Sequence, residues 1–174
     1  MTHPWHWYMD QRPSPLGEML LVTDQQGVLR ALDWEEGRGS LLADLRQLYG
    51  TESIRLTHGA IPRPMRDSLE AYWAGDLQAL SAIAVDTTAG TPFQRAAWDW
   101  LRSIPAGETR SYKEQALGMN RPSAVRAVGH ANSRNPIGIV VPCHRVIGTN
   151  GTLTGYAGGV ERKRWLLQHE GVDL

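Results

Sequence analysis

The stretch Asp86-Thr-Thr-Ala-Gly-Thr-Pro92 separates two kinds of hydrophobic patterning, and no regular element is expected to run through it. Gly90 and Pro92 disfavour helix and strand interiors, and the residues around them suit turns. Before this joint the first apolar residues fall in short strand-like runs; after it they recur mostly at helical spacing. The chain is therefore expected to form two domains, 1–88 and 89–174. Its 174 residues, 41% of them hydrophobic, are enough to give each a core.

In the first half, Met19 to Thr23 and Val28 to Asp33 flank Asp24-Gln-Gln-Gly27, which reads as a hairpin with Gly27 free to take positive φ. An antiparallel sheet is expected to start there. Ser40 is placed as the cap of a helix carrying Leu41, Leu42, Leu45 and Leu48. Pro64 opens a second helix, with Met65, Leu69, Tyr72 and Trp73 on one face. Ala82 to Val85 is expected to return to the sheet.

In the second half, Phe93, Ala97, Trp100, Leu101 and Ile104 mark a helix that stops at Pro105-Ala-Gly107. A short helix follows from Tyr112 to about Leu117. After the Gly118 to Pro122 break, Ser123 is placed as the cap of another, running to about Ala131. Two short helices about a tight turn match the helix-turn-helix pattern. Ile137-Gly-Ile-Val-Val141 is too short for a helix and reads as a buried strand or extended segment delivering Cys143. Thr149 to Gly159 is a Gly-rich loop, and Val160 to His169 a closing helix.

The formal net charge of zero hides a division. Met1 to Ala89 has seven basic and twelve acidic residues, Gly90 to Leu174 eleven and six. A supporting half and a half that meets a polyanion fit this asymmetry, as do two faces of one solvated body. Met1 to Leu21 lacks a basic n-region and an unbroken apolar stretch, and eighteen apolar residues never run together, so a cytosolic protein without a membrane partner is expected. A single cysteine excludes an internal disulfide and the multi-thiolate zinc sites.

A lone cysteine is by default a small buried apolar residue. Here Val141-Pro-Cys-His-Arg-Val146 sets a thiol after a rigid break and follows it with an imidazole and a guanidinium. A thiol attacks as thiolate, and a neighbouring His that takes its proton makes that form accessible near neutral pH. Such an imidazole is commonly oriented by a carboxylate, for which Glu170 is a candidate.

Pro142-Cys-His-Arg-Val146, preceded by Asn135-Pro136 and followed by Gly155-Tyr-Ala-Gly-Gly159 and Trp165-Leu-Leu-Gln-His-Glu-Gly171, resembles the O6-alkylguanine-DNA alkyltransferases. The likeness extends through Arg121-Pro-Ser-Ala-Val-Arg-Ala-Val-Gly129 and Thr91-Pro-Phe-Gln-Arg95. Through Ser14-Pro-Leu-Gly17 it reaches the first half more loosely, and the chain looks nearest the bacterial constitutive branch. The resemblance implies an α/β N-terminal domain with a ribonuclease H-like antiparallel sheet and a mostly α C-terminal domain containing a helix-turn-helix. It implies single-turnover transfer of an alkyl group from O6 of guanine to Cys143, without metal or organic cofactor. His144 would take the thiol proton through water, Glu170 hold His144, Asn135 brace the turn, and Tyr112 donate to the departing base.

The implied partner is double-stranded DNA, entered through the minor groove by a monomer with its damaged base flipped out. An alanine stripe of Ala124, Ala127 and Ala131 by itself suggests helix packing. The resemblance makes Ala124 and Ala127 part of the groove-facing helix and Arg126 the residue that fills the vacated stack. Lys113, Arg121, Gln94 and Thr149 become candidate backbone contacts. Tyr156, Ala157 and Gly158 are implied as a lid, and Gly138 and Val146 as pocket walls. Gly138 and Ala157 leave room for alkyl groups larger than methyl and make O4-alkylthymine a further candidate substrate. Departures from the family pattern are Gln115, where an apolar residue is usual, and Asn120, where glycine is. The cysteines of a family zinc site are absent, so His3, His6 and His58 read as surface residues. A lesion sensor of this fold would carry Trp in place of Cys143, a cysteine hydrolase would leave the arginine-bearing alanine helix unexplained, and a regulator would need an extra domain.

Overall fold

In the computed structural model, which describes residues 5–50 and 54–174, the chain divides into two compact units, Met1–Ala89 and Gly90–Leu174. Unit one is built on a four-stranded sheet in the order β3-β2-β1-β4. Strand β1 (Trp5–Ser14) alternates half-exposed residues with buried Trp7 and Met9. A tight turn at Ser14, whose hydroxyl donates to the Gly17 carbonyl, sends it into β2 (Gly17–Thr23). As an interior strand, β2 buries Met19 through Thr23 without interruption. Asp24 then accepts from the backbone N–H groups of Gln26 and Val28, with Gly27 at φ 80°, and the chain returns as β3 (Leu29–Trp34).

Both of those pairings are antiparallel, but β4 (Ile54–His58) lies parallel to β1. The sheet is therefore mixed and not purely antiparallel. The crossover into β4 is helix α1 (Arg38–Tyr49), whose Leu41 and Leu45 pack with Trp7, Met9, Leu20, Val22 and Ala31. Ser40 does not cap α1, because the helix already begins two residues earlier, after Gly37. Helix α2 (Arg63–Trp73) starts after Pro62, so Pro64 lies within its first turn, and Met65, Leu69 and Tyr72 are its buried face. Ala82–Val85 forms no strand: a 3₁₀ turn occupies Ala79–Ala82 and only Val85 bridges to Leu29. His6 is half-buried and bonds the Thr57 hydroxyl, His58 is exposed, and His3 lies outside the described residues.

Unit two opens with α3 (Pro92–Leu101), begun by a reciprocal capping box between Thr91 and Gln94. Trp98, fully buried, takes a core position, while Trp100 is only half-buried. Strand β5 (Arg110–Ser111) leads into α4 (Tyr112–Gly118), whose capping box is Ser111 with Glu114. Asn120 makes the following turn at φ 59°, a left-handed conformation that Asn tolerates better than most residues. Helix α5 (Val125–Ser133) has Ala124 as its cap, so Ser123 lies outside it and caps nothing. Ala131 is buried and its carbonyl accepts from the Trp98 indole at 2.8 Å, which takes it out of the exposed alanine stripe. A two-residue strand β6 (Val146–Ile147) pairs in parallel with β5, and α6 (Val160–His169) closes the unit. Among the described residues, no helix is long and apolar enough to cross a membrane, and no cluster of three His, Cys, Asp or Glu is placed to hold a metal.

Candidate active site

The segment before the cysteine is neither strand nor extended. Ile137, Ile139 and Val141 are buried, and Val140 and Val141 donate back to the carbonyls of Gly138 and Ile137 at 2.8 and 3.0 Å. Ile139 sits at φ 69°, a region strained for a β-branched residue by about 1–3 kcal/mol. Buried Ile137 and Val141 anchor this coil at its two ends. Pro142 then leads into a 3₁₀ turn, Cys143–Arg145.

Asn135 holds the coil together. Its carboxamide oxygen accepts from Ile137 N–H at 3.0 Å, and its Nδ2 donates to the Val141 carbonyl at 2.8 Å and to Cys143 Sγ at 3.4 Å. Burial pushes the Cys143 thiol up, opposed by the Asn135 N–H and the positive charge of Lys163.

Behind the cysteine, His144, Arg145 and Glu170 form a buried charged cluster. His144 Nε2 lies 3.0 Å from Glu170 Oε2, and Arg145 grips both carboxylate oxygens at 2.9 and 2.8 Å. The remaining Arg145 nitrogen, Nη1, donates to the Ile104 carbonyl at 2.7 Å. Burial pushes the Glu170 carboxyl up, but the contacts from His144 and Arg145 outweigh it and hold the group well below the usual carboxylate range. Burial pulls the His144 imidazole down more than Glu170 raises it, so His144 is neutral near pH 7. Facing an ionised carboxylate, Nε2 is then assigned the proton and Nδ1 the lone pair. Nδ1 is buried and has no protein hydrogen-bond partner.

Lys163, only 1% exposed, joins the site without having stood out among its surface-type neighbours in the sequence. Its Nζ donates to the carbonyls of Val146 and Thr154 at 2.6 and 2.9 Å, tying β6 to the Gly-rich loop. The same ammonium lies 5.8 Å over the Tyr112 ring, and the Tyr112 hydroxyl donates to Thr154 at 3.2 Å. Burial pulls Lys163 down to about 8, while the Cys143 thiolate favours its charged form. A signal for it did exist: Lys163, Leu166, Leu167 and Glu170 fall at helical spacing, so the stripe that the closing helix buries carries charge at both ends.

Gln115 is wholly buried and exchanges two hydrogen bonds with Asn132, at 3.1 and 2.8 Å, while also donating to the Ala97 carbonyl at 3.3 Å. This departure thus has a polar partner supplied by α5. Of the remaining candidates, Lys113, Arg121, Arg126, Ala127, Thr149 and Ala157 are exposed, while Ala124, Gly138, Tyr156 and Gly158 are half-buried. The Gln94 carboxamide oxygen is taken by the Thr91 backbone N–H. Val146 is fully enclosed, and its carbonyl serves Lys163.

Residues 92–172 match the model of the 6-O-methylguanine DNA methyltransferase DNA-binding domain. The chain is 49% identical over 161 residues to the methylated-DNA–protein-cysteine methyltransferase of Salmonella typhimurium, covering 92% of this chain and 94% of that one. A protein of the same name from Methanosarcina acetivorans is 42% identical over 158 residues, 91% and 94% of the two chains. The crystal structure of a Mycobacterium tuberculosis OGT in complex with DNA superposes with a TM-score of 0.75 at 40% identity, over 95% of this chain and 92% of that one. Similarity of this degree along nearly the whole length of both sequences places the chain in the methylated-DNA–protein-cysteine methyltransferase family.

Proposed function

We propose that this protein repairs DNA directly, moving an alkyl group from O6 of guanine in a duplex to Cys143 and being consumed in the process. The observation that carries the reading is the single cysteine held by Asn135 beside a buried His144–Glu170 pair. Nδ1 of neutral His144 accepts the thiol proton through a water molecule, and Glu170 stabilises the resulting imidazolium. The thiolate attacks the carbon attached to O6: the S–C bond forms, the C–O bond breaks, and its electron pair leaves with guanine. Tyr112 O–H turns from the Thr154 carbonyl to donate to the departing purine where charge develops. A thioether is inert here, and no residue of the site can regenerate the thiol, so each molecule acts once.

The target carbon is inside a stacked duplex, so the nucleotide must be extruded. The α4–turn–α5 unit acts as a helix-turn-helix, with α5 in the minor groove and Arg126 filling the gap in the stack. The exposed Val125, Arg126 and Ala127 at the start of α5 suit this approach. Lys113, Arg121 and Thr149 contact the DNA backbone, and Tyr156, Ala157 and Gly158 close over the base. Gly138 and Ala157 admit alkyl groups larger than methyl, and O4-alkylthymine is a second substrate. A Gly138→Ser variant that handles ethyl and butyl lesions as fast as the parent protein refutes the roomier pocket.

Intact-mass spectrometry with peptide mapping tests the main reading, after mixing the protein with an equimolar duplex carrying O6-methylguanine. One added methyl at Cys143, restored guanine, no further turnover, and no gain in a Cys143→Ser control are expected. Tight binding without a mass change overturns it in favour of a lesion sensor.

A further inference from the structure

The Gln115–Asn132 pair joins three helices at one dry point: Gln115 from α4, Asn132 from the last turn of α5, and the Ala97 carbonyl from α3. Both amides are almost wholly enclosed, Gln115 at 0% and Asn132 at 5% exposure. Their two mutual bonds are satisfied only at one separation and one rotation of α5 relative to α4, whereas an apolar contact tolerates sliding. A second fixed point lies beside it, where the Trp98 indole donates to Ala131. From Asn132 the tie continues: its carbonyl accepts from Asn135 N–H at 3.2 Å, and Asn135 is the residue that grips the cysteine turn. At the other end of α5 lie the exposed Val125, Arg126 and Ala127.

We infer that the Gln115–Asn132 amide pair is a positioning device that sets the register of the exposed face of α5 relative to Cys143. The inference rests on the reading of α5 as the helix that meets DNA. It assigns the pair no contact with the reacting atoms. Its consequence is that the pair matters when the lesion is delivered in a duplex, whose placement depends on α5. It matters little when the alkylated base diffuses in alone, because the Asn135 bonds to Val141 and Cys143 use a different side chain.

The test uses the full chain and two substrates, a duplex with O6-benzylguanine and the free base O6-benzylguanine, with benzyl transfer to Cys143 followed by mass. The variant Gln115→Leu/Asn132→Ala removes both amides together while nearly conserving their combined volume, so neither is left unsatisfied. A folded double variant is expected to react with the duplex at least about tenfold more slowly, the scale on which small misplacements act, and with the free base within about twofold of the parent rate. Parallel losses on both substrates, or no loss on either, overturn the inference and leave the pair as packing. If the double variant does not fold, Gln115→Met is measured on the same two substrates: a selective loss on the duplex supports the inference, and a parallel loss or none overturns it. The swapped pair Gln115→Asn/Asn132→Gln is expected to restore the ratio in part. Failure of the parent protein to take the benzyl group from either substrate overturns the roomier pocket instead, and the duplex arm is then run with O6-methylguanine, on which failure overturns the repair reading itself.

Discussion

Replacing Glu170 by Gln keeps the shape of the side chain and removes one buried charge that three contacts share. Arg145 is bonded to both oxygens at 2.9 and 2.8 Å and His144 to one at 3.0 Å, with the Glu170 side chain 0% and the Arg145 side chain 9% exposed. Breaking a buried pair from one side costs about 3–5 kcal/mol, because the remaining guanidinium stays enclosed without a counter-charge. Gln retains one acceptor oxygen, so the lower end, about 3 kcal/mol, is expected. Against a total of about 5–15 kcal/mol the variant remains folded but measurably weakened. Urea unfolding near pH 7 reads this as a shift in midpoint with unchanged slope. The pH dependence supplies the sign. Glu170 has a folded pKa below its unfolded value, so its contribution is fully present above about pH 4.3 and fades as the pH falls toward the folded value. The gap between parent and variant should therefore shrink below about pH 4, by up to about 1.4 kcal/mol per pH unit. Methyl transfer to Cys143 should slow by about a hundredfold or more, since His144 loses the group that orients it and stabilises its protonated form. A gap under about 1 kcal/mol near pH 7, or one that persists unchanged at pH 3, refutes the claim that this carboxylate is ionised and central to the cluster.

Removing the Asn135 carboxamide with Asn135→Ala takes away a donor that favours the thiolate, so the Cys143 pKa should rise; the pH profile of Cys143 alkylation by iodoacetamide should shift upward, and an unchanged profile contradicts the assignment. Asn120→Gly should be neutral or slightly stabilising because glycine accepts φ 59° freely, whereas Asn120→Val should lose about 1–2 kcal/mol in urea unfolding. Lys163 binds its proton less tightly folded, at about 8, than unfolded, near 10.4, so between those values the unfolded chain holds more protons and stability attributable to this group rises with pH. The melting temperature of the parent relative to Lys163→Met should accordingly increase from about pH 8 to 10, and a flat difference refutes the depressed value.

Local chemistry made much of this protein legible in its residues. Asp24-Gln-Gln-Gly27 forms its hairpin because a side-chain acceptor and a glycine satisfy the turn within four residues. Val160 to His169 is helical over the span that its apolar spacing and flanking glycines imply. His144 and Glu170 meet as their chemistry suggested, across 26 positions of sequence. What escaped the residues was non-local. Strand β4 is five residues long and only its parallel pairing with β1, across the α1 crossover, makes it a strand. Ala82 to Val85 has strand composition but reaches the sheet edge only at Val85.

The sequence by itself singled out Cys143, His144 and Glu170 as candidates and showed the two-part patterning about Asp86 to Pro92, because each rests on residue chemistry or on periodicity within one element. Only the tertiary structure decided that Ile137 to Val141 coils with Ile139 left-handed, since the strain there is tolerated only because Ile137 and Val141 on either side are buried. It also decided that Arg145 shares Glu170 with His144, that Lys163 is enclosed beneath the Gly-rich loop, and that Gln115 finds Asn132. A buried charge or amide is stable only where partners from distant segments converge, and which segments converge is a property of the packed chain.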